Sequence, residues 1–187
     1  MVHNLLQGSD EKVVIWSSFV GTIKNIEQRF AEFGALSIHG GIPTGSDSDL
    51  DYREARVKKF NDDPRCRVMV ANPAAGGEGI SLHQSCHNAI YFDRNFNAAQ
   101  YLQSIDRIHR LGLPAETVTK IMVLESESTV DQVVSTRLSE KVRAMEMVLN
   151  DFEIEPLALD EEFFEDNPDG LDLGDEEATL KHLVGLK

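Results

Sequence analysis

The sequence has few cysteines and no long apolar run, and both shortages exclude whole classes of protein. Its two cysteines, Cys66 and Cys86, have no paired spacing, so neither a disulfide framework nor a zinc site is indicated. A membrane-spanning helix needs about 20 consecutive apolar residues, and the first residues lack the charged-then-apolar layout of a secretory signal. These absences predict a cytoplasmic protein with no membrane partner.

Basic residues are also scarce, but only in one part of the chain. The 187 residues are 41% hydrophobic and 27% charged, an ordinary balance for one main globular domain. The net charge of -14 argues at first against a nucleic-acid partner, because phosphate binding depends on Lys and Arg. However, residues 151–177 hold 13 acidic side chains and no Lys or Arg, so the rest of the chain is nearly neutral. A nucleic-acid partner is therefore not excluded.

Short apolar runs alternate with amphipathic segments along residues 1–150. Five β-branched runs bounded by polar or glycine-containing segments predict buried strands at Val13–Phe19, Ala35–His39, Arg67–Ala71, Ala89–Asp93 and Val118–Leu124. Helices are predicted at Ile23–Phe33, with a stop at Gly34, and at Tyr52–Asn61, Ala98–Leu111 and Thr129–Leu149. This alternation is typical of an α/β fold with a mostly parallel sheet and helices on both faces.

Two segments depart from this pattern. Residues Gly40–Asp51 are rich in turn formers and carboxylates, which predicts an exposed loop. Residues 151–187 combine carboxylates with apolar side chains such as Phe163 and Phe164, too many for a plain solvating tail. We therefore predict a main domain over residues 1–150 and an acidic, partly apolar tail or linker over residues 151–187. This tail either docks on a surface or forms a partly disordered hinge.

The sequence YLQSIDRIHRLG at Tyr101–Gly112 carries the most informative pattern. On a helix, Gln103, Arg107 and Arg110 are four and three residues apart and project from one face. Two guanidinium groups placed in this way can hold phosphate oxygens and neutralise charge that develops during phosphoryl transfer. Taken alone, such a pair is more often an ordinary basic surface, so the interpretation depends on the surrounding motifs.

Several stretches, in order along the chain, resemble the motifs of one family. Helicase motif six of Swi/Snf-type ATPases, QxxDRxxRxG, is matched by Gln103, Asp106, Arg107, Arg110 and Gly112. The family's motif four, histidine-glycine segment and motif five are matched by KVVIWSSF (12–19), SIHGG (37–41) and ANPAAGGEGISL (71–82). Over residues 12–149 the chain thus resembles the second RecA-like lobe of a Swi/Snf-type superfamily-two DNA translocase, and the wording of its motifs favours a prokaryotic or phage member.

The resemblance implies roles for individual residues. Arg110 would be the arginine finger toward the γ-phosphate, Arg107 would contact phosphate or the partner lobe, and Gln103 would help to orient them. The implied ATP contacts are Gly77, Glu78, Gly79 and Asp106, and the implied contacts to DNA phosphates are Ser17, Ser18, His39, Gly40 and Ser81. Phosphate contacts of this kind position DNA without reading its sequence. No metal ligand is expected in this lobe.

A phosphate-binding loop is missing from the sequence. Neither GxxxxGKS/T, which holds the β- and γ-phosphates, nor an acidic DExx strand for magnesium is present. In the family both belong to the first lobe, so the resemblance implies that ATP and Mg2+ are held mainly there and that neither binds tightly here. We predict a first RecA-like lobe and duplex DNA as partners, negligible ATPase activity for the isolated chain, and a location in the cytoplasm or at the nucleoid. The start at Met1, a few residues before the first strand, suggests an excised domain.

The family pattern is not complete, and alternatives stay open. Pro73, Ser81 and Ser18 stand where the family usually has Thr, Asn and Gln, and Pro73 has neither a hydroxyl nor an amide hydrogen to donate. One alternative is a non-catalytic nucleic-acid-binding or interaction module of a separate ATPase, which the retained motif six disfavours. Another is an RNA helicase lobe, which the Asp before Arg107 disfavours. Two further roles are open for the acidic tail: covering the DNA-binding face as a phosphate mimic, or bracing the first lobe.

Overall fold

The chain divides into two compact units in the computed structural model. The structure describes residues 2–45, 49–75, 80–109, 113–114, 116–150 and 169–185. Unit 1 comprises Met1–Asp93 and Gln103–Leu124, and unit 2 comprises Arg94–Leu102 and Glu125–Lys187, so residue 150, the expected boundary, falls inside unit 2. Among the described residues, no helix combines the length and the apolar character needed to cross a membrane.

Unit 1 is built around a five-stranded parallel sheet. Its strands are β1 (Val13–Trp16), β2 (Leu36–Ile38), β3 (Val68–Ala71), β4 (Asn88–Tyr91) and β5 (Lys120–Val123). They lie in the order β2-β3-β1-β4-β5, and each of the four pairings is parallel. The central strands β1, β3 and β4 are buried along their whole length, as expected for a sheet covered on both faces. The predicted α/β fold with a parallel sheet is confirmed.

Helices cover both faces of this sheet. On one face, α1 (Val2–Gln7) and α2 (Val20–Arg29) contribute to the main apolar core. The buried members of that core are Leu6, Val13, Ile15, Ile23, Ile26, Phe30, Val68, Val70 and Ile90. Because successive strand residues point to opposite faces, Tyr91 lies on the other face, where its hydroxyl is 2.6 Å from Ser104 Oγ of α4 (Ala98–Asp106). The expected RecA-like arrangement, with helices on both faces, is confirmed.

The first predicted helix consists of two pieces that end at Gly34. After Arg29, α2 gives way to a short 3-10 helix at Ala31–Phe33. Gly34 has a φ of 64°, and a Cβ atom there would lie 2.4 Å from the carbonyl oxygen of Arg65. Only glycine fits a left-handed position this crowded, so the predicted stop is confirmed. The next helix, α3 (Arg53–Asp62), packs against β2.

Two of the described helices in unit 2 are joined by a cluster of charged side chains. They are α5 (Val130–Asn150) and α6 (Leu173–Leu183). The buried Asp175 carboxylate of α6 accepts hydrogen bonds from Arg137 Nε at 2.7 Å and Lys141 Nζ at 2.5 Å, both on α5. Asp172 lies 3.0 Å from Arg137 Nη2 and 3.2 Å from Lys141 Nζ. We refer to these four residues as the ion cluster. Beside it, a small apolar cluster is formed by Phe96, Ala98, Val134 and Leu138.

The helix α6 lies within the segment that the sequence predicts as an acidic tail or linker. Its first turn is closed by a capping box, in which the Asp172 side chain accepts from the Asp175 amide and the Asp175 side chain accepts from the Asp172 amide. The contact between α6 and α5 agrees with the expectation that part of the tail docks on a surface. Residues 151–168 of the tail lie outside the described residues, and the two proposed roles of the tail stay predictions.

Candidate functional site

Loops that follow parallel strands meet at one edge of the sheet, which we call the carboxyl edge. Three backbone hydrogen bonds join these loops to neighbouring strands: Asn72 N–H to Ile38 O at 2.9 Å, Ser17 N–H to Ala71 O at 3.0 Å, and Phe92 N–H to Trp16 O at 2.9 Å. Open α/β sheets bind their ligands at this edge. Four of the five residues expected to contact DNA follow β1 or β2 and therefore lie there: Ser17, Ser18, His39 and Gly40.

A carboxylate holds the turn that follows β1. Asp93, two residues beyond the end of β4, accepts from the Ser17 hydroxyl at 2.6 Å through Oδ2 and from the Ser18 amide at 2.6 Å through Oδ1. Ser17 is completely buried, and its hydroxyl also accepts from the Phe19 amide at 3.3 Å. A direct contact between the Ser17 hydroxyl and DNA, as the sequence suggests, is therefore not present in this arrangement, because that hydroxyl is engaged by Asp93. The turn also explains why β1 ends at Trp16 rather than Phe19.

Asn72 holds the same turn from the other side. It follows β3, the neighbour of β1 opposite to β4, and its Nδ2 donates to the Ser18 carbonyl at 3.0 Å. Its Oδ1 in turn accepts from the Ala74 amide at 2.8 Å, which orients the side chain. No role is predicted for Asn72 or Asp93 from the sequence. The available signal for Asn72 is that it directly follows a predicted strand, whereas Asp93 is the last residue of the predicted strand Ala89–Asp93.

The turn leads into the amino terminus of α2, which faces solvent. Phe19, the residue before the helix, is 64% exposed and provides no side-chain cap, and Val20 is 41% exposed. The first turn of an α-helix has amide groups without intrahelical partners and a partial positive charge, so it favours anions. The Ser18 hydroxyl is buried and makes no hydrogen bond within the described residues. It would have to rotate outward to reach a phosphate, whereas the backbone at the start of α2 is already accessible.

His39 lies at the end of β2 in a form suited to donating one hydrogen bond. Its Nδ1 accepts from the Gly41 amide at 3.1 Å, so the neutral ring carries its hydrogen on Nε2. Burial lowers the pKa of His39, and the positive charges of Lys24 and Arg56 lower it further, although Glu27 opposes the shift. At neutral pH His39 is therefore uncharged, and Nε2 is available as a donor to a phosphate oxygen.

The segments of motifs five and six are bonded to each other. The Leu82 amide donates to the Arg107 carbonyl at 3.0 Å, and both Leu82 and Ile108 are completely buried. Ser81, the fifth residue expected to contact DNA, makes its contacts elsewhere. Its hydroxyl is 2.9 Å from His83 Nδ1, and its carbonyl accepts at 3.0 Å from Asn61 in α3. The structure thus does not place Ser81 with the other four at the carboxyl edge.

The helix that carries motif six is shorter than predicted. α4 ends at Asp106, and Arg107 lies in the turn that follows, where its carbonyl is held by Leu82. Gln103 and Asp106 are exposed and Arg107 is half-buried. Because the His109 amide donates to the Ile105 carbonyl at 2.9 Å, a helical turn continues through Arg107. The expected common face of Gln103, Arg107 and Arg110 stays a prediction. The remaining residues implied in ATP binding or catalysis, Arg110, Gly77, Glu78 and Gly79, lie outside the described residues.

Comparison with known protein families gives a match over more than half of the chain. Residues 1–112 match the family described as Helicase conserved C-terminal domain. Among similar proteins, Helicase SWR1 of Gibberella zeae is 26% identical over 150 residues, which are 79% of this chain and 8% of that protein. The chain thus corresponds to a small part of that much longer relative.

Two solved structures share the fold. The crystal structure of the C-terminal part of the Fun30 ATPase domain is 25% identical with a TM-score of 0.60, over 73% of this chain and 43% of that one. The Sulfolobus solfataricus SWI2/SNF2 ATPase core in complex with dsDNA has a similar fold, with a TM-score of 0.54. It is 24% identical in sequence, and the match covers 79% of this chain and 29% of that one. The expected likeness to the C-terminal lobe of Swi/Snf-type ATPases is confirmed. Because the family match covers more than half of its residues, the chain belongs to the helicase conserved C-terminal domain family.

Proposed function

We propose that this chain is the C-terminal lobe of an ATP-dependent translocase that moves along duplex DNA. The observation that carries the proposal is the match of residues 1–112 to the helicase C-terminal domain family. The likeness to an ATPase domain and to an ATPase core bound to dsDNA supports the same activity. Since the chain corresponds to a small part of its relatives, the activity would belong to a longer protein that also contains a first RecA-like lobe. A prokaryotic or phage origin, and a location in the cytoplasm or at the nucleoid, stay predictions.

On the nucleotide side, motifs five and six would complete a site formed mainly by the first lobe. Arg110 would act as the arginine finger, Arg107 would contact phosphate or the first lobe, and Gln103 would orient them. The further ATP contacts would be Gly77, Glu78, Gly79 and Asp106. The hydrogen bond between Leu82 and Arg107 supports this arrangement, because it keeps the two motifs side by side.

The ATP and Mg2+ of the reaction would be held by the first lobe. Within the described ranges, no three carboxylate, histidine or cysteine side chains lie close enough together to hold a metal ion. The sequence also lacks the lysine-containing loop that binds the β- and γ-phosphates. The chemistry that this chain supplies is therefore guanidinium charge at the γ-phosphate, and the isolated chain would be inactive as an ATPase.

On the DNA side, the carboxyl edge would contact the phosphate backbone. Ser18, His39 and Gly40 are the proposed contacts there, and Ser17 would support the turn from inside. Ser81, which lies apart from them, is proposed as a further DNA contact on the strength of the family resemblance. Hydroxyl, imidazole and amide groups bind phosphate oxygens whatever the base sequence. If both lobes bind one DNA backbone and the cleft between them closes on ATP, each hydrolysis cycle moves the DNA contacts of one lobe relative to those of the other.

The decisive experiment replaces the arginines in the protein that joins this chain to a first lobe. Arg107→Ala and Arg110→Ala are each expected to lower DNA-stimulated ATP hydrolysis by about 1000-fold, as for other arginine fingers, while duplex binding persists. Arg65→Ala is the matched control, because Arg65 is exposed and pairs only with Asp63 among the described ion pairs. Hydrolysis at the wild-type rate in both motif-six variants would exclude the proposed role.

The isolated chain separates the alternatives. We expect no ATP turnover with or without duplex DNA. We also expect weak duplex binding with a shallow salt dependence, because the proposed contacts are neutral groups that displace few counterions. Turnover by the isolated chain would contradict the proposed division between lobes. Duplex binding combined with normal hydrolysis in the arginine variants would favour a non-catalytic binding module. Preference for double-stranded RNA in a competition assay would favour an RNA helicase lobe.

A further inference from the structure

The turn after β1 is fixed by its two neighbouring strands rather than by its own residues. Both oxygens of the Asp93 carboxylate are used, one by the Ser17 hydroxyl and one by the Ser18 amide, each at 2.6 Å. Asn72 binds the Ser18 carbonyl at 3.0 Å. Hydrogen bonds to a carboxylate are about twice as strong as neutral ones, so Asp93 is the stronger of the two supports.

The hydrogen-bond chain continues from Asp93 into α2. The Ser17 hydroxyl donates to Asp93 and accepts from the Phe19 amide at 3.3 Å, and the Phe19 carbonyl accepts the first helical hydrogen bond, from Ile23, at 3.0 Å. The direction in which the first amides of α2 point is therefore tied to the position of one carboxylate on another strand. A shift of Asp93 would change the presentation of the exposed helix start.

A carboxylate beside a DNA site is electrostatically unfavourable, because it repels the phosphates. The structure nevertheless places Asp93 in hydrogen-bond contact with the turn that is expected to lie beside the DNA phosphates. We propose that Asp93 is a positioning residue, which fixes the Ser17–Ser18 turn and thereby orients the first turn of α2 so that the first amide groups of this helix bind a DNA phosphate. This inference rests on the proposed function, and it assigns to Asp93 an indirect role, through the turn, rather than a contact with DNA.

Charge and geometry predict opposite signs for one substitution, which makes the proposal testable. Asp93→Asn keeps the side-chain shape but presents an N–H group to one of the two donors and removes the negative charge. If Asp93 acted only through its charge, duplex affinity would rise. If it positions the turn, affinity should fall by about fivefold, the effect of replacing a charge-assisted hydrogen bond by a neutral one. The measurement is fluorescence anisotropy of a labelled duplex with the full chain at fixed salt.

The matched control is Asp10→Asn, which removes the same charge from an exposed position before β1, at the opposite edge of the sheet. It should leave duplex affinity unchanged or slightly raised. Ser17→Ala removes only one of the two hydrogen bonds to Asp93 and should lower affinity by a similar factor, because that bond is also charge-assisted. In the double variant, Ser17→Ala should add nothing to Asp93→Asn, because both act on the same turn. Ser17→Ala also provides the test if Asp93→Asn does not fold.

A second readout needs no DNA. Hydrogen exchange of the Ser18 amide, followed by NMR, should be about tenfold faster in Asp93→Ala than in wild type, since its acceptor is lost. Unchanged Ser18 exchange would show that Asp93 does not hold the turn. Faster exchange with unchanged or tighter duplex binding would show that the turn does not matter for DNA binding. Either result overturns the proposal. If the wild-type chain binds no duplex, the proposed function fails, whereas Ser18 exchange still decides whether Asp93 fixes the turn.

Discussion

Unit 1 and unit 2 are stabilised by different kinds of contact. In unit 1 the core consists of apolar side chains on a parallel sheet, and Val13, Val14 and Trp16 of its central strand are completely buried. In unit 2 the contact between α5 and α6 contains a completely buried carboxylate, Asp175, bonded to Arg137 and Lys141. Apolar burial is non-directional and depends on area, whereas a buried charge is stable only while its partners stay in place.

The difference shows what each unit tolerates. A sheet core can lose one methyl group and keep its architecture, because the neighbouring side chains still exclude water. The ion cluster is less tolerant, since removing one charged side chain leaves the opposite charge of its partner uncompensated. We therefore expect substitutions in unit 1 to have graded effects, and substitutions in the ion cluster to release α6 as a whole.

The largest effect is expected in the sheet core. Ile15→Ala should lower the free energy of unfolding of unit 1 by about 2–5 kcal/mol, because it deletes buried methyl groups and leaves a cavity. Urea unfolding followed by the fluorescence of Trp16, the only tryptophan in the sequence, measures it. The control Ile121→Ala makes the same change at a position that is 39% exposed and should cost less than about 1 kcal/mol. Equal losses in the two variants would remove the distinction between buried and exposed positions of this sheet.

A smaller and more local effect is expected for the ion cluster. Asp175→Asn keeps the shape of the side chain but removes the charge that Arg137 and Lys141 require, at a cost of about 2 kcal/mol. Hydrogen exchange should become faster throughout α6, while Trp16 fluorescence reports unchanged stability of unit 1. The control Glu177→Gln breaks the exposed pair with Lys181 and should leave exchange unchanged, since exposed pairs contribute little. Unaltered α6 exchange in Asp175→Asn would mean that the ion cluster does not hold the helix.

The same contrast explains how much of the fold can be predicted from sequence. The positions of all five strands were predictable, because short apolar runs are local signals, but β5 is largely exposed where the sequence predicts a buried strand. The helix α6 was not, because its docking depends on charges that are far apart in the chain, and acidic composition alone favours a tail. The only local signal was the capping box of Asp172 and Asp175. The helix α1 is six residues long, too short for apolar periodicity to identify.

The candidate site divides in a similar way. Ser18, His39 and Gly40 could be placed at one edge from the order of the strands, because parallel strands end at the same side. The roles of Asp93 and Asn72 could not, since they depend on which strands are neighbours in the sheet. The end of α4 at Asp106 was also not predictable, because the helical pattern continues in the sequence beyond the point where Leu82 holds the chain.

Acid should weaken the two units in different pH ranges. Burial lowers the pKa of His39 in unit 1 below its ordinary value of about 6.5. Its contribution to stability is therefore complete above about pH 6.5 and is lost as the pH falls through the lower folded-state value. Burial opposes the shift of Asp172 in unit 2, but the Asp175 amide, Lys141 and Arg137 together lower its pKa. The contribution of Asp172 is therefore retained until the pH falls below about 4.

Between pH 7.5 and 5, at unchanged ionic strength, unit 1 should thus lose stability while the α5–α6 contact is retained. Trp16 fluorescence in urea measures the first, and α6 exchange protection measures the second. His39→Gln should reduce the loss in unit 1, because the substituted amide does not titrate. A parallel loss in both units over this range would contradict the expected separation of their pH dependences.

The smallest effect concerns reactivity rather than stability, and it tests how completely water is excluded from unit 1. Burial raises the pKa of the Cys86 thiol to about 11, although hydrogen bonds with the Asn88 and Val14 backbone oppose the shift. At pH 8 only about one thiol in a thousand is then ionised, so iodoacetamide should alkylate Cys86 in the native chain far more slowly than in the unfolded chain. A cysteine introduced at the exposed Ser126 of unit 2 provides a matched thiol with an ordinary pKa. Mass spectrometry of the alkylated peptides gives both alkylation rates. Similar rates at the two positions would mean that water reaches the amino end of β4. The comparison of the two units would then fail, because it depends on a core of unit 1 that excludes water.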